Sequence, residues 1–170
     1  MNKSKVNINM KSGDEWKREM GFAGWKESLS NVLNYTILKK YCDDSIAVEI
    51  DLQLINDAKM KILNSKFMKK NAITNILSFP QFSASDVGSI LRVRGYILGD
   101  IFLAYGKIMQ ESHEFKIPFF DRCTHLFVHG VLHLIGMDHA LQPEEEEMEN
   151  LEICILEEFG IRNPYIMWES

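Results

Sequence analysis

One stretch constrains this chain more than any other: His129-Gly130-Val131-Leu132-His133-Leu134-Ile135-Gly136-Met137-Asp138-His139. His129 and His133 stand four residues apart. On a helix they share one face, with Cβ atoms about 6 Å apart. Gly136 suits the left-handed turn that ends a helix, and such a turn brings His139 back towards the first two. Three imidazoles and a water make a tetrahedral zinc site with one open position. Such an ion lowers the pKa of its water towards about 7, or polarises a phosphoryl oxygen. His129, His133 and His139 are therefore the candidate metal ligands, and through the metal-bound water the candidate catalytic residues. Four of the five histidines fall within residues 125–139, which argues against chance scatter. His125 lies one turn earlier and extends the stripe; it either lines the site or, as the stronger reading, is a satisfied structural histidine. His113 stands apart and reads as a surface residue. Asp138 has two readings that stay open: it orients a ligand from behind, or it caps the turn after Gly136.

The same three histidines and glycine fit HExxHxxGxxH, the metzincin peptidase pattern. That chemistry needs a glutamate directly after the first histidine as general base. Gly130 occupies the position and has no side chain to take a proton. Peptide hydrolysis is thereby demoted to a distant rival.

Around this motif, strand-like and helix-like segments alternate. Residues 6–10 alternate in polarity, 45–55 are rich in β-branched residues, 75–80 end at Pro80, and 95–106 carry Gly99 inside an apolar run. All four read as strands. Gly99 signals a bulge or a close backbone approach. Helical periodicity marks residues 25–41, 57–68 with Asn56 as N-cap, 118–135 and 143–159. Residues 81–94 read as a loop with a short ordered piece. The expected class is α/β or α+β, and the strand order stays open. A chain of 170 residues suits a single domain, 1–170, with residues 1–24 read as an N-terminal extension.

Charge is uneven. Residues 58–85 hold Lys59, Lys61, Lys66, Lys69 and Lys70 and no acid, whereas 138–161 hold Asp138 and eight glutamates with no Lys or Arg. The net charge of −5 does not itself suggest a polyanionic partner, but a local basic surface can still bind one. Lys66, Lys69 and Lys70 are the candidate substrate contacts. The acidic run reads as a solvated helix face. Cys42, Cys123 and Cys154 form no CxxC pair and read as free thiols. No apolar run approaches a membrane span and no secretory h-region opens the chain. The expected location is cytoplasmic, with no membrane partner.

HGVLHLIGMDH resembles the HGxLHLxGyDH signature of the YbeY family of metal-dependent endoribonucleases. Leu63-Asn64 followed by Thr74-Asn75-Ile76-Leu77-Ser78-Phe79-Pro80 resembles its LN…T[DN]VLSFP stretch, and Leu98-Gly99-Asp100-Ile101 its LGDI strand. The acidic helix ending at Glu158, then Phe159-Gly160 and Pro164-Tyr165, resembles its C-terminal end. The resemblance implies an α/β fold: a small mixed four-stranded sheet, about five helices and a zinc site in a cleft. It implies one Zn2+ on His129, His133 and His139. It implies cleavage of single-stranded RNA, maturation of the 16S rRNA 3′ end and a part in ribosome quality control. The implied partners are the small ribosomal subunit, one of its proteins and the GTPase Era. Ser78 and Asp100 lie near the site by resemblance, with strand packing as the alternative. One departure stands out. The family carries an arginine four residues after the Asn of its LN pair, and Met68 stands there. Met68 cannot fork phosphate oxygens as arginine does, and lysine is no like-for-like substitute. That departure favours a second reading, a ribosome-assembly factor that binds without cutting.

Overall fold

The structure is a computed structural model, and it describes residues 5–43, 46–93 and 95–166. Four strands form one sheet: β1 (Lys5–Ser12), β2 (Ala47–Ile55), β3 (Ile76–Pro80) and β4 (Ile97–Ala104). Their order is β1-β2-β4-β3. The first three pair in parallel, and β3 runs antiparallel on β4. The helices are α1 (Asp14–Arg18), α2 (Phe22–Tyr41), α3 (Asp57–Met68), α4 (Ala84–Ile90), α5 (Tyr105–Phe115), α6 (Phe119–Leu134) and α7 (Gln142–Glu158). The α/β class and the mixed four-stranded sheet stand as expected.

The helix count is higher than expected, seven among the described residues. Beyond the four helices marked by periodicity, two are short: α1, and α4, which is the ordered piece expected within 81–94. The third, α5, has a physical reason for escaping notice. It carries an apolar period, with Tyr105, Ile108 and Met109 on one face, but Ala104 at its start offers no capping side chain, and the strand read over 95–106 runs past the end of β4 at Ala104 into its first turn. α2 also starts earlier than Trp25, because Gly21 takes a left-handed conformation just before it and Gly24 sits inside its first turn.

β2 alternates strictly between buried and half-buried residues, as a strand with one core face must. Val48, Ile50, Leu52 and Leu54 face the main core with Ile101 and Leu103 of β4. α6 lies against this face. A smaller apolar cluster covers the other side, where Met60 and Leu63 of α3 meet Leu77, Phe79 and Phe102.

Gly99 answers the sequence expectation. The register between β2 and β4 shifts there: Glu49 pairs Ile97 but Asp51 pairs Asp100. A Cβ on Gly99 would lie 2.2 Å from the Phe79 carbonyl oxygen and 2.8 Å from Leu134 of α6. The missing side chain lets α6 seat on the sheet.

Residues 1–24 were read as an extension, and part of that stretch is built into the domain. β1 is an edge strand of the sheet, and Trp16 is fully buried. The Trp16 indole donates to the Ile55 carbonyl at 3.2 Å and stacks on Trp25 at 6.2 Å. Trp25 in turn donates to Thr124 of α6 at 2.9 Å.

Candidate metal centre

α6 carries the first two histidines on its half-buried side. The helix ends in a Schellman turn: the Gly136 N–H donates to His133 O at 3.0 Å and the Met137 N–H to Leu132 O at 3.0 Å. Gly136 has φ +93°, and a Cβ there would lie 2.8 Å from the Ala84 backbone. The turn does two jobs. It reverses the chain so that His139 returns, and it presents the Met137 carbonyl to His133 Nδ1 at 3.0 Å.

The three histidines come together. Their candidate ligand atoms lie within 4.8 Å of one another. The Nε2 atoms of His129 and His133 are 3.0 Å apart. His133 Nδ1–H donates to Met137 O, and His129 Nδ1 lies 2.6 Å from the Glu152 carboxylate. With both Nδ1 protons committed, both Nε2 lone pairs face one point. Two lone pairs that close repel unless a cation lies between them. A tetrahedral ion with bonds of about 2.0–2.1 Å would set its nitrogens roughly 3.4 Å apart, so this donor set fits a metal. Burial, then the neighbouring His129 and His139, pushes the His133 pKa down. His133 is thus neutral at pH 7, the form a metal needs.

The residue that holds this arrangement, and that sequence reading missed, is Glu152 on α7. Its side chain is fully buried. It accepts from His129 Nδ1 at 2.6 Å, from His125 Nε2 at 2.9 Å and from the Tyr165 hydroxyl. Burial raises its pKa, but the hydrogen bonds from the two histidines outweigh that and hold it down at about 2. The signal was present in the acidic run. Met148, Glu152 and Ile155 share one helix face and all are buried, so Glu152 is an acid at an apolar position. The α7 end repeats the Schellman turn, with Ile161 N–H on Leu156 O at 3.0 Å and Gly160 at φ +72°. That turn carries Tyr165 back to Glu152.

His125 is structural, as its place in the stripe suggested. Arg122 Nη1 lies 2.9 Å from His125 Nδ1. Arginine only donates, so Nδ1 accepts and the proton sits on Nε2, facing Glu152. Burial accordingly lowers the His125 pKa. Arg122 pairs with Glu111 at 2.8 Å, and Glu111 accepts from Asn75 at 3.0 Å. Asn75 belongs to the stretch before β3, whose role is therefore to tie sheet to helix. Asn64 similarly donates to Ala72 O at 2.8 Å and closes the loop before β3.

The remaining predicted residues fall elsewhere. Asp138 Oδ1 accepts from the His139 N–H at 2.7 Å, a turn contact. Ser78 pairs with Ile101 and shares the sheet face of α6. Asp100 lies on the opposite face beside Asp51; burial, and then that neighbouring carboxylate, raises its pKa. Lys66, Lys69 and Lys70 are exposed at the end of α3, and the sheet stands between α3 and the triad. Met68 is half exposed there. Gly130 faces the sheet, where a Cβ would lie 3.0 Å from Ile76 and 3.1 Å from Ile101. The position a peptidase would give its base points away from the metal side. Among the described residues no helix is long and apolar enough to cross a membrane.

Comparison with known proteins agrees with this geometry. The family described as Endoribonuclease YbeY matches residues 11–160. An Endoribonuclease YbeY of Rhizorhabdus wittichii is 34% identical over 166 residues, covering 93% of this chain and 92% of the relative. One from Rhizobium etli is 40% identical over 117 residues, 69% of this chain and 66% of the relative. The solution structure of a protein from Thermotoga maritima superposes with a TM-score of 0.53 at 21% identity, covering 91% of each chain. That likeness is one of fold.

Proposed function

This chain belongs to the YbeY family, and from that membership and the convergence of its histidines we propose that it is a zinc-dependent endoribonuclease cutting single-stranded RNA. The observation that carries the reading is the meeting of two imidazole Nε2 atoms, each with its Nδ1 proton committed elsewhere. His129, His133 and His139 would hold the ion. When bound, it supplies a Lewis acid beside the scissile phosphate. Glu152 fixes the tautomer of His129 and, as a buried anion, raises its basicity as a ligand. The Met137 carbonyl does the same positioning for His133. Asp138 steadies the turn that delivers His139. Lys66, Lys69 and Lys70 lie in a basic segment suited to phosphates further along the strand.

The substrate we propose is the 3′ end of 16S rRNA, with a role in ribosome quality control. The small ribosomal subunit, one of its proteins and the GTPase Era are the partners, and the cytoplasm is the location. Residues 1–170 act as one domain, a reading supported by β1 and Trp16 in the shared core. Met68 favours the second reading, an assembly factor that binds without cutting.

The test is cleavage of a labelled single-stranded RNA by the purified chain, with His133→Ala purified identically. Cleavage by the wild type alone, abolished by chelator, supports the nuclease. Equal activity in both preparations, or none in either, gives the lead to the assembly factor.

A further inference from the structure

Next to His125, the chain builds a cavity of about 450 Å³ between the α5–α6 corner and the segment after α7. This lies in the lower part of the size range of small-molecule sites. Lys116, Arg122 and Arg162 line it against a single carboxylate, Asp121. In a protein of net charge −5, this lining is of the opposite sign. Its other walls are apolar, with Ile117 and Pro118 on one side and Ile161 on the other.

Arg122 gives the cavity its chemistry. The side chain is only 14% exposed. Nε and Nη2 donate to one oxygen of Glu111 at 3.0 and 2.8 Å, and Nη1 to His125 at 2.9 Å. A guanidinium has five N–H donors, and these contacts use three. Glu111 is itself held by both of its contacts to Asn75. The fork is therefore fixed before any ligand arrives, so little ordering is lost on binding. Planar, rigid guanidinium donors match phosphate oxygens.

We infer that this cavity is a nucleotide subsite: it takes one phosphate-bearing nucleotide of a single-stranded RNA substrate, phosphate against Arg122 and Lys116, base or ribose against the isoleucine and proline walls. The inference rests on the nuclease reading. The site is distinct from the metal centre but shares a wall with it, since His125 and His129 both bond Glu152.

The test uses the full zinc-loaded chain and the double variant Lys116→Glu/Arg162→Glu, which leaves the Arg122 network in place. Lys11→Glu/Lys17→Glu, two exposed reversals outside the cavity lining, is the charge-matched control. Binding of uridine monophosphate and of a labelled single-stranded oligodeoxynucleotide is titrated, and RNA cleavage kinetics are measured. The subsite predicts that both ligands bind the wild type and the control. In the double variant, KM should rise about tenfold, the loss of one good contact, with kcat within twofold. The slope of log affinity against log salt should fall by about 0.7 for each phosphate released. Nucleotide binding with unchanged oligonucleotide affinity and KM would overturn the inference in favour of a free-nucleotide site. Binding of neither ligand at these residues also overturns it. Oligonucleotide binding lost in the double variant, with no cleavage by any preparation, supports the subsite while the nuclease reading fails.

Discussion

Glu152 reaches across from α7 and meets His129 at 2.6 Å, through the ring nitrogen that a metal does not need. A buried carboxylate is costly to desolvate, and here three donors offset that cost. Glu152→Gln keeps the shape but removes the charge and one acceptor. Metal affinity should drop about 10–100-fold, the usual cost of losing such a partner. Competition against a chromophoric chelator measures this without any activity assay. Unchanged affinity would mean that Glu152 only packs α7 on α6.

Glu152 also sets the response to acid. Its folded pKa of about 2 lies below its unfolded value. The stability it contributes is therefore present above roughly pH 4.5 and lost as pH falls towards 2, about 3 kcal/mol in total. His125 works in the same direction from a higher pH. Its folded pKa is lowered, so the unfolded chain protonates first and stability declines below about 6.5. Urea midpoints should therefore fall from pH 7 to pH 5 and more steeply below pH 4.5. In Glu152→Gln the steeper limb should vanish. A midpoint that stays flat from pH 7 to pH 3 would contradict both assignments.

Gly136 joins fold to site. Any side chain there meets a left-handed backbone and the main chain of Ala84 at 2.8 Å. Gly136→Ala should cost at least about 1–2 kcal/mol from the backbone alone. For a chain of this size, 2 kcal/mol is a fall of about 4–8 °C in Tm. Metal affinity should fall too, because His139 depends on the turn. A variant with native Tm and native affinity would show that His139 reaches the centre without the glycine.

The histidine triad was legible because a helix period and a turn residue suffice to bring its members together. The four strands were legible because alternation and β-branching mark them directly. The supports were not. Glu152 looked like one more acid in a solvated run, and only its register with Met148 and Ile155 sets it apart. α5 was hidden by its start, because β4 runs straight into it at Tyr105 with no capping side chain at Ala104. Its first turn is capped from a distance, by Asp57 accepting from the Lys107 N–H at 3.0 Å, which no local pattern reports. Tyr165 lies 13 residues beyond its partner and depends on a turn at Gly160. Each missed feature is a long-range polar contact, where the short-range periods that make a sequence readable carry no information.

Gly130 tests the rival peptidase reading directly. If only a base were missing, Gly130→Glu would restore one. The structure says otherwise, since position 130 faces Ile76 and Ile101 rather than the triad. A carboxylate forced there would be buried without a partner, which is strongly destabilising. Gly130→Glu should therefore yield little folded protein and no casein cleavage. Gly130→Ala is the gentler probe. It gains about 1 kcal/mol of helix propensity against crowding of two flexible side-chain ends, and should stay folded. Peptidase activity in a folded Gly130→Glu would overturn this placement.

The N-terminal stretch makes the last prediction. Trp16 is fully buried, stacks on Trp25 at 6.2 Å and bonds the end of β2 at 3.2 Å. Trp25 carries the contact on to Thr124, one residue before His125 on α6. An appended segment would be removable at little cost. An integral one is not: Trp16→Ala should cost about 3–5 kcal/mol, as for other large aromatic truncations in cores. The milder Trp16→Phe keeps the ring packing and loses the bond to Ile55, and should cost about 1 kcal/mol more than its lost volume. Denaturant titration of both variants measures the difference. A Trp16→Ala chain with a midpoint near the wild type would return residues 1–24 to the status of an extension.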